Sequence, residues 1–206
     1  MNLRLNIVLK PPQDIAKKAI DLSHKISKDN EVFFALDGLK FYPHITIYAS
    51  EFSEINLKNI LKAVESISNN TSPIKLKFQG ISSSQGFISL KFDSSFFINN
   101  LHKEIIKKLN PLSEKSIRNN SQQFLGYLIN FTPEQSKNII NYGYPDAIEL
   151  YSPHLTLSRF KKESLTDKAL KDIKWDTPEA MVDKIAIYLM GEHGTCRELV
   201  GEFNLR

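Results

Sequence analysis

Along residues 2–10 apolar Leu3, Leu5, Ile7 and Leu9 alternate with polar Asn2, Arg4 and Asn6, the period-two pattern of a half-buried strand. After Pro11-Pro12 the period changes. Ile15, Ala19, Leu22 and Ile26 recur at helical spacing with lysines between them, which predicts a helix lying on a sheet, with His24 off the stripe and facing solvent. A β-branched and aromatic run from Phe41 to Tyr48 predicts a strand, and Leu57, Ile60, Leu61, Val64 and Ile67 predict a second helix. Strands follow around Ile74-Leu76-Phe78 and Phe87 to Phe92, joined by a turn at Ser82–Gly86. Phe97, Leu101, Ile105 and Leu109 mark a third helix that ends at Pro111, with His102 beside the stripe and read as a surface residue.

The second half repeats the theme. Residues 113–123 (SEKSIRNNSQQ) form the most polar stretch, so a loop or lobe connection is expected there. FLGYLINF at 124–131 reads as a strand, and Thr132-Pro133-Glu134 as the capped start of a short helix. A strand at SPHLTL, a helix near 164–174 and strands at 182–190 and 197–204 complete the chain, with Gly191–Gly194 as the turn between the last two. Hairpin-length connections in mixed order predict an α+β fold with antiparallel sheets, and the recurrence of strand, helix, Pro-His-x-Thr strand and helix points to two related halves.

Composition adds limits. A net charge of +4 and a pI near 9.0, spread over many lysines, suit an anionic ligand without forming a basic block. No run approaches the roughly 20 apolar residues that span a bilayer, and the N-terminal alternation is unlike a signal peptide, so a cytoplasmic protein without a membrane partner is expected. Cys196 is the one cysteine and reads as an incidental strand thiol. A monomer is expected.

Tyr42-Pro43-His44-Ile45-Thr46-Ile47 is echoed at Ser152-Pro153-His154-Leu155-Thr156-Leu157. One buried strand histidine is ordinarily a hydrogen-bonded core residue. Two in the same five-residue frame are not. In a strand, side chains at i and i+2 share a face, so His44 projects with Thr46 and His154 with Thr156, while Ile45, Ile47, Leu155 and Leu157 point to the core. Two imidazoles across a cleft can deprotonate a nucleophile and protonate a leaving oxygen at a phosphodiester, and hydroxyls can stabilise the charge on the phosphoryl oxygens. By the same alternation Tyr42, Tyr48 and Ser158 lie on the histidine face, where a tyrosine either stacks on a nucleobase or simply packs. Arg159 falls on the opposite face and reaches phosphate only if the strand bulges; otherwise it is a surface arginine. His193, in a glycine-flanked turn, is left outside the catalytic set. A histidine-ligated metal site is disfavoured, because the two histidines lack an acidic or cysteine partner at ligand spacing.

The paired Pro-His-x-Thr motifs resemble those of the two-histidine (2H) phosphoesterase superfamily, which includes bacterial RNA 2',3'-cyclic phosphodiesterase/2'-5' RNA ligase-like proteins. The resemblance implies one bilobal α+β domain over 1–206, two pseudo-symmetric lobes of antiparallel sheet with outer helices around a central cleft and the motifs on adjacent central strands; the 110 residues between the histidines then imply an insertion or lobe connection near 110–150. It also implies metal-independent hydrolysis of a 2',3'-cyclic phosphate or 2',5'-linked oligonucleotide, without a cofactor, on a nucleotide or RNA partner. It gives His44 and His154 acid-base roles, Thr46 and Thr156 phosphate binding, and matches Arg159 to an arginine that often follows the second motif. A binding module for RNA or nucleotides that turns nothing over is the competing expectation.

Overall fold

A computed structural model describes residues 1–114, 131–171 and 173–206. The alternating start forms β1 (Asn2–Leu9), and the first stripe forms α1 (Gln13–Lys28), which buries Ile15, Ala19 and Ile26 as the spacing predicts. The fourth buried side chain of α1 is Ser23 rather than Leu22, because its hydroxyl is recruited by a backbone carbonyl described below. β2 (Val32–Ala35) follows, then β3 (Ile45–Ser53), α2 (Leu57–Ser68), the hairpin β4 (Ile74–Ser84) and β5 (Phe87–Phe92), and α3 (Phe96–Leu109). From residue 133 onward come α4 (Pro133–Tyr142), β6 (His154–Phe160), the one-turn α5 (Thr166–Leu170), β7 (Glu179–Val182), β8 (Lys184–Met190) and β9 (Cys196–Asn204). The expected strand at 124–131 lies almost entirely outside the described residues.

The fold is α+β, and the nine strands of the described residues pair antiparallel in the order β7-β4-β5-β6-β3-β1-β8-β9, with β2 added on β6. The two motif strands are the centre. β3 and β6 meet at one residue pair, Ile45 with Leu155, and then diverge. Each is held on its far side by a longer ladder, β3 by β1 and β6 by β5, so the divergence opens a cleft between two supported strands. Ile45, Ile47, Leu155 and Leu157 are all buried, and the core behind the cleft continues through Leu5, Ile7, Ile60, Ile88 and Ile105. At roughly 1.5–3 kcal/mol per buried aliphatic side chain, this apolar backing fixes the strands against sliding.

Two short strands escape the sequence reading. β2 and β7 have four residues each, too few for alternation to declare itself, and both exist because a longer strand offers them an edge. The capped helix at 132 is realised in full: the Thr132 hydroxyl accepts from Gln135 N–H and the Gln135 side chain accepts from Thr132 N–H. Gly143 ends that helix at φ +69, where a Cβ would lie 2.6 Å from Ser50 Oγ, and so lets Tyr144-Pro145-Asp146 turn into the cleft wall. Among the described residues no helix is long and apolar enough to cross a membrane.

Candidate active site

The cleft holds a cavity of about 390 Å³, within the range of small-ligand sites, and its walls include His44, Thr46, His154 and Thr156. Each histidine is tethered alike. His44 Nδ1 lies 2.8 Å from the carbonyl of Tyr42, and His154 Nδ1 lies 2.9 Å from that of Ser152, in both cases two residues upstream across the proline. A carbonyl can only accept, so each Nδ1 carries its proton and Nε2 is left for chemistry.

Burial lowers the pKa of His44 to about 4, against the Tyr42 and Gly194 backbone bonds that favour the charged ring; the charge of His154 pushes in the same direction as burial. Burial likewise lowers His154, opposed by the Ser152 carbonyl, with Lys91 lowering it further and Asp146 raising it. The pair is therefore neutral in the empty cleft near pH 7.

The strand beside each motif completes the walls. β5 runs along β6 with Lys91 opposite His154, Ser89 opposite Thr156 and Phe87 opposite Arg159. Lys91 Nζ donates to Ser152 Oγ at 2.8 Å and lines the cavity, and the Ser89 and Thr156 hydroxyls are 3.3 Å apart. Sequence reasoning missed Ser89 and Lys91. Their signal was the polar parity of FISLKF, readable only once the neighbour of PHLTL is known. On the other side Asn6, 1% exposed, lines the cavity from β1, with its Nδ2 3.6 Å from the buried Cys196 sulfur. If the cleft takes the phosphodiester that the sequence leads one to expect, Lys91→Met should raise its KM about tenfold or more, as the loss of one charged hydrogen bond to the ligand would, measurable by steady-state kinetics.

Simple alternation fails past the threonines, for one reason on both strands. In β3 the pairing with β1 shifts so that Val8 faces Thr46 and Ile7 faces Tyr48, leaving Ile47 as an extra residue. In β6 the pairing with β5 shifts so that Ser89 faces Thr156 and Ile88 faces Ser158, leaving Leu157 extra. A bulge three residues after each histidine reverses the faces beyond it. Tyr48 is thus corrected from cleft to core: it is fully buried, and its hydroxyl donates to the Tyr142 carbonyl at 2.7 Å. Ser158 is corrected likewise, its hydroxyl donating to the Phe34 carbonyl at 2.7 Å. The bulge brings small Ala49 to the cavity in Tyr48's stead.

Arg159 meets the condition set by its sequence position, because the strand does bulge. Its guanidinium is 4.8 Å from the Phe87 ring and 5.1 Å from the Phe33 ring, and Nη1 is 2.7 Å from His193 Nδ1. Phe87 and His193 themselves line the cavity, so Arg159 sits directly behind its wall, and His193 belongs to the site region rather than to an isolated turn. Tyr42 sends its carbonyl to the site, its ring packs 5.0 Å from Tyr188, and the residue borders a small side cavity that His44, Thr156 and His193 also line. His102 is also corrected. It is 1% exposed, not on the surface, because both ring nitrogens are used by buried backbone. Among the described residues no group of three or more His, Cys, Asp or Glu side chains is arranged to hold a metal ion.

The sequence profile described as the 2'-5' RNA ligase superfamily matches residues 37–194, which takes in both motifs. No curated protein sequence matches the chain. Among solved structures, a Thermus thermophilus protein superposes with a TM-score of 0.58 at 15% identity, covering 99% of this chain and 98% of its own. Escherichia coli LigT without ligand superposes at 0.55 and 14% identity, covering 100% and 98%, and a protein described as a phosphoesterase at 0.53 and 12%, covering 98% of each. LigT has also been crystallised with phosphate, NADP+, 3'-AMP and ATP. At such identities these neighbours establish the shared fold, and the profile establishes the kinship: the chain belongs to the 2'-5' RNA ligase superfamily, a branch of the 2H phosphoesterases.

Proposed function

We propose that this chain hydrolyses a cyclic phosphate or RNA-type phosphodiester, a 2',3'-cyclic phosphate or a 2',5'-linked oligonucleotide, by two-histidine acid-base catalysis that needs no metal. The observation that carries this reading is the duplicated geometry: two imidazoles, each fixed through Nδ1 by the carbonyl two residues upstream, beside two threonines on the walls of one cavity. Binding alone has no use for a matched pair of oriented, neutral imidazoles.

In the proposed reaction Nε2 of one histidine takes a proton from water as the water oxygen forms its bond to phosphorus. The other histidine takes up a proton at Nε2 when the anionic substrate binds, and as the bond from phosphorus to the ribose oxygen breaks it passes that proton to the departing oxygen. The two charges repel, so the pair holds a single proton; the Asp146 carboxylate favours the charged form of His154, which supports His154 as acid and His44 as base. Thr46, Thr156 and Lys91 take the phosphoryl oxygens, where donors aimed at developing charge are most effective. His193 lines the same cavity and would meet the rest of a nucleotide, Arg159 supports it from behind the wall, and Tyr42 serves through its carbonyl.

The test is a panel of 2',3'-cyclic mononucleotides, 2',5'- and 3',5'-linked dinucleotides and RNA ending in a cyclic phosphate, assayed with and without EDTA. Turnover of a cyclic phosphate or 2',5' linkage, unchanged by EDTA, is the expected outcome. Binding across the panel with no turnover overturns the reading in favour of a nucleotide-binding module.

A further inference from the structure

The bulges leave backbone carbonyls that a regular ladder would have paired, and buried carbonyls demand donors. Both bulge residues receive one from a helix behind the sheet. In β6 the Leu157 carbonyl accepts from Ser23 Oγ of α1 at 2.6 Å, and the same hydroxyl accepts from Leu36 N–H at 2.9 Å. In β3 the Ile47 carbonyl accepts from His102 Nδ1 of α3 at 2.6 Å. The β3 side carries a second bond. Tyr151 Oη donates to the Thr46 carbonyl at 3.0 Å, and its ring lies flat on that of His102, 3.9 Å between centroids and 9° between planes.

The same stack reaches towards the other motif strand. His102 Nε2 accepts from Ile148 N–H at 2.8 Å, and Ile148 has φ +57, a conformation that a β-branched residue holds only when its surroundings impose it. Tyr151 lies three residues before His154, next to Ser152, whose carbonyl fixes the His154 ring. One buried pair of rings thus touches the backbone of Thr46 and Ile47, the strained turn beside Asp146, and the lead into β6.

Resting on the phosphoesterase reading above, we propose that His102 and Tyr151 are positioning residues. They hold the bulge at Ile47 and, through it, aim the Thr46 hydroxyl at the phosphate while fixing β3 against the approach to His154. Ser23 does the corresponding work for Thr156 with a single hydroxyl. Neither ring touches substrate, so the effect must pass through Thr46, and that requirement makes the proposal testable.

Tyr151→Phe keeps the ring and its stacking and deletes the bond to the Thr46 carbonyl. It is measured alone, with Thr46→Val, and as the double variant, by hydrolysis of a 2',3'-cyclic nucleotide and, separately, by affinity for inorganic phosphate. Tyr151→Phe is expected to lower kcat/KM about tenfold and to weaken phosphate several-fold, but to change either by less than about twofold once Thr46 is valine, because the two residues act as one unit. A merely structural role lowers the melting temperature and multiplies with the Thr46→Val loss; that outcome, or wild-type kinetics in Tyr151→Phe, overturns the proposal. If Tyr151→Phe melts below the assay temperature, the phosphate cycle is run in the cold with Ser23→Ala and Thr156→Val, where the same non-additivity is expected and additivity overturns it. Should the wild type turn over nothing, the functional reading falls, while the phosphate cycle still decides the positioning role.

Discussion

Replacing either His44 or His154 with alanine is expected to lower kcat/KM for a 2',3'-cyclic nucleotide by about 10²–10⁴-fold, the usual worth of a positioned acid or base. The two losses differ in kind. With His44 as base and His154 as acid, a phosphodiester bearing a p-nitrophenol leaving group needs little protonation of the departing oxygen. His154→Ala is therefore expected to regain most of its activity on that substrate, and His44→Ala to regain none. Reversed rescue exchanges the two roles, and full activity of either variant on the cyclic nucleotide removes the two-histidine mechanism altogether. Circular dichroism at the assay temperature separates chemical loss from unfolding, and no collapse is expected, since each ring is tied to its own strand's approach and borders a cavity rather than filling the core.

The central pair of strands is legible in the sequence because their chemistry is duplicated: no core-packing demand produces Pro-His-apolar-Thr-apolar twice. The three long helices are legible because each presents an apolar face to the sheet for at least three turns. What stays hidden depends on partners remote in the chain. Tyr48 and Ser158 defeat the alternation rule because a bulge is a property of two strands, not one; nothing within YASEF or LSRF says that Ile47 or Leu157 is the unpaired residue. His102 escapes for a related reason. Its acceptors and donors, Ile47 and Ile148, lie 55 and 46 residues away, so its burial cannot be inferred from a helical stripe. Lys91 and Ser89 fall on a strand as the pattern predicts but gain meaning only when that strand is found beside β6. A buried polar side chain on a helix is thus better treated as a question about distant backbone than as a break in the apolar pattern.

The second large effect expected is on stability, and acid should produce it. His44 and His102 both hold pKa values near 4, each chiefly because burial disfavours the charged ring, whereas an imidazole in the unfolded chain takes its proton near 6.5. Between those two values the unfolded state binds protons that the folded state refuses, so stability, undiminished above about pH 7, falls as the pH drops through 6.5 towards 4. His154, also lowered by burial, adds in the same direction. A shift of this size is worth about 3 kcal/mol for each of the two histidines, to be set against a total of roughly 5–15 kcal/mol for a domain. Urea titrations at pH 7 and pH 4.5 are expected to show a lower midpoint at the acid pH, and His44→Ala to lose about 2–3 kcal/mol less between them than the wild type does. An unchanged midpoint would mean that water or a shift of the cleft solvates the rings, and would weaken the case for His44 as a neutral base. Inorganic phosphate supplies the complementary check: an anion between the histidines favours the protonated rings, so its stabilising effect should grow as pH falls from 7 to 5. The burial that makes the empty fold sensitive to acid is then also what leaves His44 unprotonated at neutral pH and ready to accept a proton once substrate is bound.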